Sequence, residues 1–351
     1  MRENKQTCDI VIVNYNAGAK VLDCLASVFA SLPETCAVWV VDNDSSDGSG
    51  EAIAKQFPQA RLIRSGDNLG FGAGCNLGAR YGEKDFIVFL NPDTRVEKGW
   101  LEGLLAPLRA DAKVGLSTPK ILLTHRPDRI NACGNSVHFT GITLCRGLGD
   151  RKESLDRPEE VGAVSGAALA VRRELFDSLG GFDEDMFLYM EVTDLSWRAR
   201  LSGHTCVFAP TSIVYHDYRF RVFPQKIFLH ERNRYLMLLK NLKWPTLLLL
   251  LPSQLLAELI AWGFVICRQR GSFLDKWRAY LWVGANWRFI MKKRKTNLSR
   301  RKVRDREILK NTDSGIPFRQ LKEGNLSSIA RLVFNPLFFL YYRFSLALTW
   351  W

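Results

Sequence analysis

Three short runs constrain the fold more than any other feature: Asp9-Ile-Val-Ile-Val13, Ala37-Val-Trp-Val-Val41 and Asp85-Phe-Ile-Val-Phe-Leu90. Each is rich in β-branched or aromatic residues, too short for a globular helix, and apolar at successive positions instead of alternate ones. A strand with that pattern is buried on both faces, as happens when helices cover both sides of a mainly parallel sheet. The segments between them agree. Gly18 to Ala30 carries apolar residues at three- and four-residue steps, Glu51 to Phe57 reads as a second helix, and Ala60-Arg-Leu-Ile63 as a further strand. This strand–helix–strand repetition, running to about Asp217, predicts an α/β fold with a mainly parallel sheet covered by helices. Hydrophobic residues are 47% of the chain, enough for a sizeable core.

In open sheets of this kind ligands bind beyond the carboxyl ends of the strands. Asp42 and Asp93 both follow strand ends, so they are expected to face one crevice. Asp42 opens the turn Asp42-Asn-Asp-Ser-Ser-Asp-Gly48, which suits either a ribose or base edge or the ordinary capping of the next helix. In Leu90-Asn-Pro-Asp93, Asn91 and Asp93 set oxygen ligands two apart. That spacing serves a divalent cation bridging a diphosphate, or simply a proline turn. The stretch from Asn68 to Gly78, with Gly74 and Asn76 inside it, lets backbone approach a ligand closely. It has neither dinucleotide-fingerprint nor P-loop spacing, and a tight loop entering a helix is its alternative. Glu191 and Asp194 are three apart, on one face of a predicted helix start, where a carboxylate could take a proton from an attacking hydroxyl. As plain first-turn acids they would instead favour the helix dipole, with Arg198 spaced to pair with Asp194. His216 ends a predicted strand; alone, it reads as structural.

Taken together, these segments resemble the family 2 glycosyltransferases of the GT-A fold, particularly the rhamnosyltransferase-like branch. The likeness runs in chain order through Val11-Ile-Val-Asn-Tyr-Asn16, Val41-Asp-Asn-Asp-Ser-Ser-Asp47, Asn68-Leu-Gly-Phe-Gly72, Leu90-Asn-Pro-Asp93, Gly180-Gly-Phe-Asp-Glu184, Glu191-Val-Thr-Asp-Leu195 and Tyr215-His216. The resemblance implies that Tyr15, Asn16, Asp42, Asn68 and Asn76 line a nucleotide-sugar pocket. It also implies that Asn91 and Asp93 stand at the family's metal-binding DxD, and that His216 is a further ligand to Mn²⁺ or Mg²⁺. The expected reaction is inverting transfer of a sugar from a nucleoside diphosphate sugar to a hydroxyl of a glycan or polyprenyl-diphosphate-linked acceptor. Rhamnose carried on dTDP is the analogy. One departure stands out: Val192 lies where family members often carry the catalytic base. Glu191 is the favoured substitute and Asp194 the other. A nucleotide-sugar-binding protein without transfer activity, or a polyprenyl-phosphate glycosyl synthase, are the competing readings.

After about Pro224 the composition changes, which predicts a catalytic domain over 1–224 and a helical, membrane-associating region over 225–351. Trp244 to Cys267 is long and apolar enough to cross a bilayer, yet Pro252, Gln254 and Glu258 sit near its middle. A single crossing would also send the basic run from Lys292 to Arg304 to the far side of a cytoplasmic enzyme's membrane. A re-entrant hairpin turning at Pro252, or helices lying in the interface, avoids both difficulties. The net charge of +13 fits an anionic membrane surface. No nucleic-acid recognition motif accompanies that charge, so no nucleic-acid partner is expected. The N-terminus shows no secretory signal, and the eight cysteines are scattered without a CxxC pair. The expected location is the cytoplasmic face of the inner membrane, in a reducing compartment; an oligomer is compatible with all of this.

Overall fold

The computed structural model describes residues 7–218, 224–268, 270–317, 320 and 325–351; the opening segment 1–6, on which the leader reading rests, lies outside them. The chain divides into two compact units: residues 1–135, 145–199 and 204–219, and residues 136–144, 200–203 and 220–351.

The first unit is an α/β sandwich. In chain order it contains β1 (Cys8–Asn14), α1 (Ala19–Phe29), β2 (Ala37–Asp42), α2 (Ser49–Gln56), β3 (Arg61–Arg64), α3 (Phe71–Arg80), β4 (Phe86–Leu90), β5 (Thr94–Val96), α4 (Trp100–Ala110), β6 (Val114–Leu123) and β7 (Arg126–Ala132). The short strands β8 (Asn135–Val137) and β9 (Thr143–Cys145), most of whose residues fall in the second unit, pair with each other, and β10 (Glu159–Glu160), β11 (Ala168–Arg172), α5 (Arg173–Leu179), α6 (Glu191–Leu201) and β12 (Thr205–His216) complete the first. The main sheet runs β10-β12-β6-β11-β4-β1-β2-β3, with β5 added to β12 and β7 to β6. β3, β2, β1 and β4 are parallel, as are β6 and β12; β11 runs antiparallel to both β4 and β6.

Strand periodicity sorts the core into two layers. Ile10, Ile12, Val38, Val40, Val88 and Leu90 point to one face, where α1 and α4 cover them. Val11, Val13, Trp39, Val41, Ile87 and Phe89 point to the other, beneath α3, α5 and α6. α1 meets its face with Val21, Cys24, Leu25 and Val28, one stripe of a 3.6-residue helix. The glycines of α3 have a packing reason. A Cβ on Gly74 would come within 2.9 Å of Val13, and one on Gly78 within 2.5 Å of Val11, so two glycines one turn apart let α3 lie close on β1.

The second unit is helical: α7 (Pro224–Asn241), α8 (Trp244–Arg268), α9 (Phe273–Ala285), α10 (Trp287–Ser299), α11 (Asp305–Lys310) and α12 (Asn325–Leu348). α8 continues through Pro252, so the hairpin expected at that proline is not formed; the helix forgoes one hydrogen bond there and runs on. Its outer stripe, Leu248, Leu251, Leu255, Leu259 and Ile266, is exposed, and so are Phe273, Leu274, Trp277 and Leu281 of α9 and Leu332, Leu337, Leu340 and Phe344 of α12. The inner side of α8 carries Glu258, whose carboxylate is 2.9 Å from the fully buried Lys276 and also paired with Arg234. Glu231 completes the set, 2.9 Å from Arg234 and 3.2 Å from Lys276. Two acids therefore balance two bases across α7, α8 and α9, which is how buried charges are tolerated. Two members of the basic run are likewise internal. Arg294 is buried and donates to the carbonyls of Leu239 and Leu242 at the end of α7, and Arg301 pairs with the buried Asp305. Lys292, Lys295, Arg300, Lys302 and Arg304 remain exposed.

Candidate active site

The site begins where β1 and β2 end side by side, with Asn14 opposite Asp42 in the parallel register. Asn14 is fully buried, and its amide donates to the Asp42 carboxylate (3.3 Å) and to the hydroxyls of Ser45 (3.0 Å) and Ser49 (2.8 Å). It thereby fixes the acidic turn that the sequence offers to a nucleotide. Asp42 is itself buried, lying against Gly50, where any Cβ would collide with its carboxylate. Asp47 accepts from the Ser49 backbone (3.0 Å) and from the Gly18 amide (2.8 Å), and the Ser49 bonds hold its carboxyl below the ordinary range. Asn16, in a left-handed conformation, accepts from the Ser46 amide at 2.8 Å, while Tyr15 beside it is half exposed. Tyr15, Asn16 and Asp42 are thus brought to one rim.

Asn68 is joined to this end of β2 through Asn43, the neighbour of Asp42. Its side-chain oxygen accepts from Asn43 (3.0 Å) and from the Gly70 amide (3.0 Å), which ties the glycine loop to the end of β2. Gly74 and Asn76 lie inside α3, not in a loop. Asn76 donates to the Phe182 carbonyl (3.0 Å) and to Glu184 (2.9 Å), and it accepts from the Phe182 amide (2.9 Å). The structure therefore shows these two residues joining α3 to β1 and to the 182–184 turn.

The glycine loop also supports the residues before α6. Phe71 donates its amide to the Phe187 carbonyl at 2.8 Å, and Gly70 sits so close beneath that carbonyl that a Cβ would overlap it. Phe187, Tyr189 and Met190 all have positive φ, at 59°, 69° and 69°. Left-handed non-glycine residues cost about 1–3 kcal/mol each and persist only where surroundings over-determine them. These strained residues lead directly into Glu191. Its side chain is buried, and its Oε2 has no hydrogen-bond partner among the described residues. Burial pushes its carboxyl up to about 7, with the nearby Asp194 adding to the rise. Val192 points into the core beside Gly166. Asp194 is fully buried and bonded to Arg198 at 2.7 Å, the i, i+4 pair anticipated from spacing. Arg198 is held in turn by the carbonyls of Leu179 and Gly181.

On the other side of β4 the chain passes Asn91 and Asp93 into β5, which pairs antiparallel with the end of β12 so that Thr94 faces His216. The pairing carries the His216 Nε2 to 3.2 Å from the Asp93 carboxylate. The other ring nitrogen, Nδ1, is 2.8 Å from the side-chain oxygen of Asn131. Among the described residues no three His, Cys, Asp or Glu side chains cluster closely enough to hold a metal by themselves. The Asp93 carboxylate and the His216 imidazole, 3.2 Å apart, nevertheless make a mixed oxygen–nitrogen donor pair, while Asn91 two residues earlier accepts from the Thr94 hydroxyl through its backbone carbonyl at 2.7 Å. The pair suits Mn²⁺ or Mg²⁺ when a diphosphate and water fill the remaining positions. Asn14, Asn43 and Asn131 are the site residues that motif reading does not single out. The first two fall inside quoted motifs, whereas Asn131 lies in a stretch with no motif at all.

A mostly parallel sheet with nucleotide-type turns at its carboxyl edge, a carboxylate–imidazole pair and a buried acid defines a nucleotide-sugar glycosyltransferase of the GT-A class. The chain belongs to glycosyl transferase family 2, whose family model matches residues 9–180. It is 31% identical over 240 residues to the N-acetylglucosaminyl-diphospho-decaprenol L-rhamnosyltransferase of Mycobacterium tuberculosis, an alignment covering 59% of this chain and 75% of that protein. Among solved structures, GalNAc-T7 with UDP, GalNAc and Mn²⁺ shares the fold at TM-score 0.55 and 19% identity, covering 67% of this chain and 48% of that one. TarS 1-349 of S. aureus with UDP-GlcNAc does so at TM-score 0.55 and 16% identity, over 97% and 91% of the two chains.

Proposed function

We propose that this protein is an inverting, metal-dependent glycosyltransferase that moves rhamnose from dTDP-rhamnose to a hydroxyl of a polyprenyl-diphosphate-linked sugar. Donor and acceptor are read by analogy with the mycobacterial rhamnosyltransferase, which spans three quarters of its own length in the match. The observation that carries the chemistry is Glu191: a buried carboxyl near neutrality, with one oxygen unpaired among the described residues, presented by a strained loop. A group titrating near 7 is well placed to act as a base at physiological pH.

In this reading Asp93, His216 and Asn91 would hold a divalent cation, which when bound neutralises charge developing on the departing diphosphate. Asn14, Asp42, Asn43 and Asn68 shape the edge that receives the nucleotide. Tyr15, Asn16, Gly74 and Asn76 stay in the proposed donor-site set, the last two through the packing of α3. Glu191 Oε2 takes the proton of the acceptor hydroxyl as its oxygen attacks the anomeric carbon. The bond from that carbon to the diphosphate breaks on the opposite face, and its electron pair leaves with the nucleotide. Val192 cannot do this, and Asp194 is committed to Arg198.

We further infer that residues 1–224 are the catalytic domain. Residues 225–351 lie on the cytoplasmic face of the inner membrane without crossing it. The exposed leucine stripe of α8 and the charged network on its inner side support an in-plane helix: a crossing would take Glu258, Arg234 and Lys276 into hydrocarbon together. The test is transfer from dTDP-rhamnose, UDP-N-acetylglucosamine and GDP-mannose to a polyprenyl-diphosphate-linked sugar and, separately, to bare polyprenyl phosphate. Rhamnose on the former supports the proposal. Transfer to the bare lipid phosphate identifies a polyprenyl-phosphate glycosyl synthase instead. Binding of a donor without transfer by any combination leaves a nucleotide-sugar-binding protein.

A further inference from the structure

β7 does not pair regularly with β6. Ala132 is opposite Ile121 and Ile130 is opposite Leu122, so Asn131 is an extra residue with no partner across the ladder. Such bulges turn a side chain out of the alternation that the strand would otherwise impose, and they recur beside active sites. Here the bulge puts the Asn131 amide, only 2% exposed, against the His216 ring, with its oxygen 2.8 Å from Nδ1. His216 is also nearly buried, and Asp93 stands 3.2 Å from its Nε2.

An imidazole binds a metal only through a nitrogen without a proton, so a ligand at Nε2 requires the proton to sit on Nδ1, and the hydrogen bond at Nδ1 decides which tautomer is populated. We propose that Asn131 is a positioning residue for the metal site: its side-chain oxygen accepts the His216 Nδ1 proton and so keeps the Nε2 lone pair aimed at the position shared with Asp93. The inference rests on the reading of Asp93 and His216 as ligands. Asn131 neither touches the metal position itself nor brings charge to it. A neutral acceptor fixes ring orientation and tautomer while leaving the net charge of the donor set to Asp93 and the diphosphate. The bulge explains why a strand residue reaches the ring: with regular pairing, the side chains of Ile130 and Ala132 would place Asn131 by alternation alone.

Two readouts test this, neither of which is turnover. Nitrogen-15 NMR of the metal-free wild-type protein, with the His216 signals assigned by their loss in His216→Gln, shows directly whether Nδ1 carries a proton; it is expected to, whether or not Nε2 also holds one toward Asp93. Mn²⁺ alone is then titrated into wild type, Asn131→Ala, Asn131→Leu and Asn131→Asp, each checked for fold by circular dichroism. Alanine and leucine should weaken Mn²⁺ binding roughly 10–100-fold, the usual effect of losing such a partner. Leucine fills the space without accepting a proton, and aspartate, which does accept one, should retain affinity. A wild-type His216 with no proton on Nδ1, or a folded Asn131→Ala with wild-type Mn²⁺ affinity, overturns the inference while leaving the metal site standing. Failure of the wild type itself to bind Mn²⁺ overturns the ligand assignment and this inference with it.

Discussion

Asp194 and Arg198 form a buried ion pair, 2.7 Å from guanidinium to carboxylate, one helical turn below Glu191, whose Oε2 has no hydrogen-bond partner among the described residues. Two acids three residues apart in sequence thus have opposite assignments, one structural and one poised for chemistry. Removing one partner of a buried pair strands the other charge, at a cost of about 3–5 kcal/mol. Asp194→Asn should therefore lower thermal stability sharply, in proportion to lost activity. A variant that keeps its melting temperature but loses turnover would reassign Asp194 to the chemistry.

Glu191→Gln should do the reverse: lose roughly 10²–10⁴-fold in kcat while staying folded. The pH dependence follows from the raised carboxyl. Wild-type rate should rise through about pH 7 as Glu191 ionises. Stability has the opposite sign. The folded value is above the ordinary 4.5, so the folded state holds the proton more tightly. The stabilisation this gives is complete below 4.5 and is lost as pH rises to about 7. Melting curves of wild type and Glu191→Gln should accordingly diverge across that window, the glutamine form being the more stable at pH 8.

Gly70→Ala should damage activity although Gly70 carries no functional group, because the position is buried. Its φ is +81°, and the added methyl would meet the Phe187 carbonyl that orients the loop before Glu191. A measured kcat within twofold of wild type would show that the loop does not set the position of the base.

Membrane attachment through α8 predicts that Leu251→Glu, Leu255→Glu and Leu259→Glu together abolish flotation with vesicles containing anionic lipid, because all three side chains are exposed and contribute little to the core. Neutralising Lys292, Lys295 and Arg300 should weaken binding by about 1 kcal/mol per charge and reduce its salt dependence. Changing Arg294 should instead unfold the helical unit, since it holds the end of α7.

The strands were legible because β1, β2 and β4 are apolar at consecutive positions, and only double-sided burial allows that. Asp93 and His216 were legible as strand-end residues, although their approach depends on β5 adding to β12, a pairing of residues about 120 apart in sequence. Other features were hidden for definable reasons. Gly70, Gly74 and Gly78 read as a loop by composition, yet their four-residue spacing marks a helix face pressed on β1, or its N-terminal edge for Gly70. Pro252 reads as a break but is accommodated within α8. Arg294 and Arg301 looked like part of a solvated basic run, and nothing local says that their charges are consumed inside the unit. Asn131 could not be singled out, because a bulge is a property of two strands and not of one.

The most direct measurement is calorimetric titration of the folded protein with UDP, dTDP and GDP, each with and without Mn²⁺. The account predicts that one nucleotide, dTDP by analogy with the rhamnosyltransferase, binds tightly only when Mn²⁺ is present, and that Asp93→Asn abolishes the metal dependence. Binding of none of the three would contradict it, whatever the fold resembles.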